Sequence, residues 1–150
     1  MMENKAYQVS VSEKEVEGIQ GKVQVLEVTI LGTVSLGKMM ELMREVKNVT
    51  AKIKGDYISV TDMRKFEISK FLRTVILYGM ESSYVSILEV KNPALLSFVL
   101  FDESQLGISS LKERLLTINE QHKSGKRKYK YIFARSLEDV FKILKDNYPK

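Results

Sequence analysis

The chain has 150 residues, 44% hydrophobic and 29% charged, with a formal net charge of +5 at pH 7. That balance is ordinary for one globular domain, and a chain of this length buries roughly two-thirds of its unfolded surface, enough for a core without covalent staples. It contains no cysteine, which excludes thiolate nucleophiles, zinc–thiolate sites and a disulfide framework, and agrees with a reducing compartment.

In chain order, residues 1–7 lack the apolar centre of a signal peptide, and no apolar run anywhere approaches the ~20 residues of a membrane-spanning helix. A cytoplasmic location without a transmembrane segment is therefore expected. Tyr7, Val9 and Val11 alternate with Gln8, Ser10 and Ser12, the period of a strand with one buried face. A polar turn is expected over 13–21, followed by a second strand within 23–34, where Leu26, Val28 and Ile30 alternate with Glu27 and Thr29. The pair reads as a hairpin.

From Leu36 the period changes to helical: Leu36, Met39, Met40, Met43 and Val46 form one stripe, with Ser35 as N-cap. The methionines suit either packing on a sheet or an adaptable partner surface. Residues 57–63 read as a strand ending in the acid Asp62, and a second amphipathic helix is expected over 66–78, with Ile68, Phe71, Leu72, Val75 and Ile76 on one face and Lys70 and Arg73 opposite. Residues 84–90 read as a strand. Asn92 and Pro93 then supply a cap and a first helical residue for an apolar helix over 94–101. Another helix is expected from Ser110, where Ser110 and Glu113 have capping-box spacing. The chain ends with a strand over 129–134 and a helix opened by Ser136, with Leu137, Val140, Phe141 and Leu144 facing inward.

Two opening strands followed by alternating helices and strands predict an α/β fold with a mixed β-sheet, an N-terminal antiparallel hairpin leading into parallel strands. Helices on one face or on both remain open alternatives. No linker, low-complexity tract or repeat divides the chain, so a single domain over 1–150 is expected.

This order, together with Leu31, Gly32, Thr33, Val34 and Ser35 before the first helix, Val60 to Arg64 at a strand end, and Tyr131 to Val140 at the close, resembles the SpoIIAA-like fold of STAS domains and STAS/SEC14-type bacterial proteins. The resemblance covers about residues 7–144. It implies a SpoIIAA-like architecture and a signalling role through protein–protein interaction. Anti-sigma-factor antagonists of that family carry a phosphorylatable Ser or Thr after an aspartate at the start of the second helix. Here Asp62 matches the strand-end acid, but the Asp-Ser-x-Gly turn is missing and Ser69 is displaced, leaving both a phospho-switch and a plain surface serine open at Ser69.

Hydrolytic chemistry built on an oriented histidine has one residue to draw on, His122, in a polar run. Histidine metal sites and calcium loops do not occur, and Gly32 and Gly37 do not complete a phosphate-binding fingerprint, so no cofactor is expected. Lys126, Arg127, Lys128 and Lys130 interleave with Tyr129 and Tyr131, a combination that either pairs phosphates and stacks bases or forms a solvated loop. Phe66, Phe71, Phe98 and Phe101 fit either a core or, through the SEC14 likeness, the wall of an apolar-ligand site.

These readings rank as a non-enzymatic regulatory or scaffolding domain that binds a protein partner through Asp62, Arg64, Lys65, Ser69 and Arg73. A carrier of a small apolar ligand is second, a nucleic-acid binder third, and a homodimer is left open.

Overall fold

The computed structural model describes residues 7–32, 36–67, 94–105, 107–109, 112–113, 116 and 131–147. Strands β1 (Tyr7–Glu15) and β2 (Lys22–Gly32) pair antiparallel from Tyr7 opposite Ile30 to Glu15 opposite Lys22. β1 thus runs three residues into the stretch expected to turn. Glu13 and Glu15 tolerate this because they are exposed, and Lys14 lies across the sheet surface, 3.3 Å from Glu27 and 6.0 Å from the centre of the Phe141 ring. The reversal is made by Ile19 N–H donating to Val16 O at 3.0 Å, with Gly18 and Gly21 at φ of 84° and 79°, where a side chain would be strained.

Helix α1 (Leu36–Lys52) follows, then β3 (Tyr57–Phe66), β4 (Leu96–Leu100), β5 (Tyr131–Ala134) and helix α2 (Leu137–Asn147). The described strands form one sheet in the order β1-β2-β3-β4-β5, with β2 to β5 parallel. It is the mixed α/β sheet expected, antiparallel at its start.

Side-chain alternation assigns the two helices to opposite faces. On one face Leu26, Val28 and Ile30 of β2 pack with Met39, Leu42 and Met43 of α1. On the other, Val23 and Val25 join Ile58 and Val60, Leu96, Phe98 and Leu100, and Val140 and Leu144 of α2. Helices therefore cover both faces. Met39 and Met43 are buried in the core beside the sheet and Val46 packs against that core, while Met40 is half-buried. In α2, Ser136 Oγ accepts from Asp139 N–H at 3.2 Å, and Asp139 Oδ2 accepts from Arg135 N–H at 3.3 Å. The first bond satisfies a donor that a helix start leaves unpaired, and the second ties the residue before the cap to the first turn.

Two expected elements are corrected. Residues 94–101 were expected as a helix, but 96–100 form strand β4. A parallel strand buried on both faces shows a continuous apolar run rather than alternation, which periodicity does not separate from a buried helix. The expected helix over 66–78 does not begin at Phe66, because β3 extends through that residue; the rest of that span and the strand expected over 84–90 lie outside the described residues. The described residues Ile108, Ser109, Lys112, Glu113 and Leu116 are helical, so the helix expected from Ser110 is already under way at Ile108, two residues before its expected start.

The extension of β3 contains a bulge. Thr29 to Leu31 of β2 advance two positions while Asp62 to Lys65 of β3 advance three. The extra residue inverts the alternation: Ile58 and Val60 belong to the α2 face, whereas Phe66, opposite Gly32, belongs to the α1 core. Without the bulge, Phe66 would point to the other side.

Candidate functional site

In a parallel sheet the carboxyl ends of the strands gather along one rim, where open α/β folds hold their ligands. The bulge sits at that rim. Its residues Asp62, Met63 and Arg64 precede Lys65 and Phe66, and Glu67 N–H donates to Gly32 O at 2.9 Å, tying the end of β3 to the end of β2.

Asp62 and Arg64 act as a unit. Arg64 Nε donates to Asp62 Oδ1 at 3.0 Å and Nη2 to Oδ2 at 2.8 Å, a two-point fork, while Arg64 N–H adds a third bond to Oδ1 at 3.1 Å. Partial burial works against ionisation of Asp62, but the Arg64 bonds and the charges of Arg64 and Lys65 outweigh it, holding the carboxyl below its ordinary range. The same bond to Asp62, against a smaller desolvation effect, raises the Arg64 guanidinium.

The loop after β4 forms the adjoining part of the rim. Asp102 Oδ1 accepts from Ser104 N–H at 2.9 Å and Ser104 Oγ at 2.7 Å. These bonds, backbone first, lower the Asp102 carboxyl. Gln105 Oε1 accepts from Asp102 N–H at 2.7 Å, while Gln105 Nε2 donates to Met63 O at 2.6 Å and Phe66 O at 3.0 Å. Only this orientation of the amide gives all three neighbours a complementary partner. One side chain therefore closes its own loop and fastens it to the bulged end of β3.

Beyond the loop, Arg135 pairs with Glu103 across the ends of β4 and β5 at 2.5 Å, both side chains being exposed. Lys112 lies 3.9 Å over the Phe101 ring and 5.5 Å from the centre of Phe133, and the two rings meet edge to face at 5.8 Å. The cation caps the apolar edge at the inner side of the rim.

Of the residues singled out in the sequence, Asp62, Arg64 and Lys65 are brought together here. Ser69, Arg73, Phe71, His122 and the basic residues Lys126, Arg127, Lys128 and Lys130 lie outside the described residues. The phenylalanines do not share one wall: Phe66 and Phe101 belong to the α1 core and Phe98, fully buried, to the α2 core on the other face. The loop residues Asp102, Ser104 and Gln105 were missed, because reading 94–101 as a helix hid the strand end before them. Their signal was Asp102-Glu103-Ser104, a turn former placed directly after an apolar run.

Among the described residues no group of three or more His, Cys, Asp or Glu side chains is placed to hold a metal ion, and no helix is long and apolar enough to cross a membrane. No protein-family model, curated protein or solved structure matches the chain.

Proposed function

We propose that the chain is a non-enzymatic regulatory or scaffolding domain that binds a protein partner through the rim at the carboxyl ends of β3 and β4. The observation that carries this reading is the Gln105 clamp, which fastens the loop after β4 to the bulged end of β3 in one frame that presents Arg64, Lys65, Asp102 and Glu103. A surface already held in shape loses little conformational freedom on binding, so its polar contacts count toward affinity. Charges of both signs, with Arg64, Asp102 and Glu103 held by neighbours, suit recognition of a complementary protein surface. The carboxylates of Asp62 and Asp102 are committed to holding the backbone, an occupation better suited to shape than to proton abstraction. The resemblance to STAS domains read in residues 31–35, 60–64 and 131–140 points to the same reading and to a place in cytoplasmic signalling.

The test is photo-crosslinking in cells from a benzophenone residue placed at Lys65, with Lys47 on the exposed side of α1 as control. A single protein crosslinked from Lys65 and absent from Lys47 is expected. Equal crosslinking from both positions, or none from Lys65, contradicts the proposal.

A further inference from the structure

β1 pairs with β2 through nine consecutive residues without a register shift, and among the described residues no strand lies on its other side. A straight edge of that length is a template for another strand, and proteins that keep such edges alone protect them with charges, prolines or bulges. Here the protection covers one end: Glu13, Lys14 and Glu15 are charged, whereas 7–12 contain neither charge nor proline. On that stretch Val11 is 43% exposed, one of two large apolar side chains so placed among the described residues.

We propose that this edge pairs antiparallel with β1 of a second copy, about a two-fold axis at Ser10, joining two sheets into one. Residues directly opposite in an antiparallel pair share a face, so the axis must lie level with a residue. At Ser10 it sets Val9 opposite Val11 twice, Gln8 opposite Ser12 and Tyr7 opposite Glu13, pairing residues 7–13 with no like charges facing. An axis at Val11 or Ser12 puts a valine against Glu13, and one at Glu13 puts that carboxylate against itself. Over the described residues an axis at Val9 keeps apolar against apolar and overlaps residues 7–11. Of the described residues, the Ser10 register pairs both valines over the longer span, covering the Val11 side chain with its counterpart's Val9. This surface is separate from the Asp62 rim, and the two proposals stand or fall independently.

Because the chain has no cysteine, Ser10→Cys introduces a single thiol. Opposed Cβ atoms on paired strands lie about 5 Å apart, close to the separation a disulfide bridges after small adjustment. Under mild oxidation, Ser10→Cys is expected to form a disulfide-linked dimer faster than Ser12→Cys. Sedimentation of the unmodified protein is expected to show a monomer–dimer equilibrium that Val11→Lys weakens, since a lysine on an edge strand opposes pairing. The weakening is about tenfold or more if each buried charge costs upwards of about 1.4 kcal/mol, with an unchanged melting profile at concentrations where both proteins are monomeric. Arg64→Glu should leave the equilibrium as it is. A protein that stays monomeric at high concentration, a Val11→Lys variant that dimerises normally, or faster crosslinking from Ser12→Cys would each overturn the proposal.

Discussion

Gln105 donates to the carbonyl of Phe66 across 39 positions of chain, and this bond, with its partner to Met63, fixes how the end of β3 meets the loop after β4. Replacing Gln105 by Ala leaves both carbonyls and the Asp102 N–H without that partner, and should cost about 1–3 kcal/mol of stability in urea unfolding. Gln105→Glu should cost more at neutral pH, since a carboxylate has no proton to give either carbonyl, and should recover part of the loss under acid conditions where it is protonated.

Asp62 supplies a pH-dependent contribution of definite sign. Its folded-state pKa is depressed, so its stabilisation is present above the unfolded value of about 3.9 and is lost as pH falls through the folded value. Asp62→Asn should therefore lose about 1 kcal/mol at neutral pH, a figure kept small by the partial exposure of the Arg64 fork. The gap from the unmodified protein should close as the pH is lowered below that range. A gap constant with pH would mean that the Asp62 carboxyl titrates alike in the folded and unfolded states, contradicting the pull of Arg64 on it.

Tyr7 fastens the edge strand to α1. Its hydroxyl donates to Glu41 Oε1 at 2.8 Å. Burial first, and then the Glu41 bond and charge, push the phenol well above its ordinary range. Reciprocally, the Tyr7 bond is the main cause that lowers the Glu41 carboxyl, with Lys38 second. Tyr7→Phe should raise the Glu41 titration midpoint measured by carboxyl NMR, and should cost about 0.5–1.5 kcal/mol.

Leu42 of α1 and Leu144 of α2 lie in separate cores on opposite faces of the sheet. Truncating either to Ala should cost about 2–5 kcal/mol. Since the two side chains belong to different clusters, the double variant should lose the sum of the two to within about 0.5 kcal/mol. A strong departure from additivity in chemical unfolding would mean that the faces are coupled through the sheet.

How far the fold was legible follows from how each element is buried. β1 and α1 were readable because each alternates apolar with water-facing positions: Tyr7 and Val9 stand beside the exposed Gln8 and Ser10, and Met39 and Met43 recur at helical spacing against the exposed Lys38 and Arg44. The last helix was marked by its cap, Ser136 with Asp139. β4 was not legible, since Phe98, Val99 and Leu100 are all buried and both faces therefore read as apolar. The bulge in β3 carries no sequence mark of its own; it is visible only against β2, and it alone decides that Phe66 faces α1 rather than α2. For the candidate site, Asp62 was singled out as the acid closing a strand over 57–63, whereas β3 runs on to Phe66 and holds Asp62 at the bulge; Arg64 came by adjacency, and Gln105 was beyond reach because its two acceptors are backbone carbonyls some 40 residues away.

The central claim, that the clamped rim is a protein-binding surface, is tested most directly by the dissociation constant of the partner crosslinked at Lys65, measured by calorimetry for the unmodified protein, Arg64→Glu and Lys47→Glu. Reversing a charge at the centre of a recognition surface should weaken binding about tenfold or more, so Arg64→Glu should bind correspondingly worse while Lys47→Glu binds normally. Unchanged affinity of a folded Arg64→Glu variant, or equal losses in both, would contradict it.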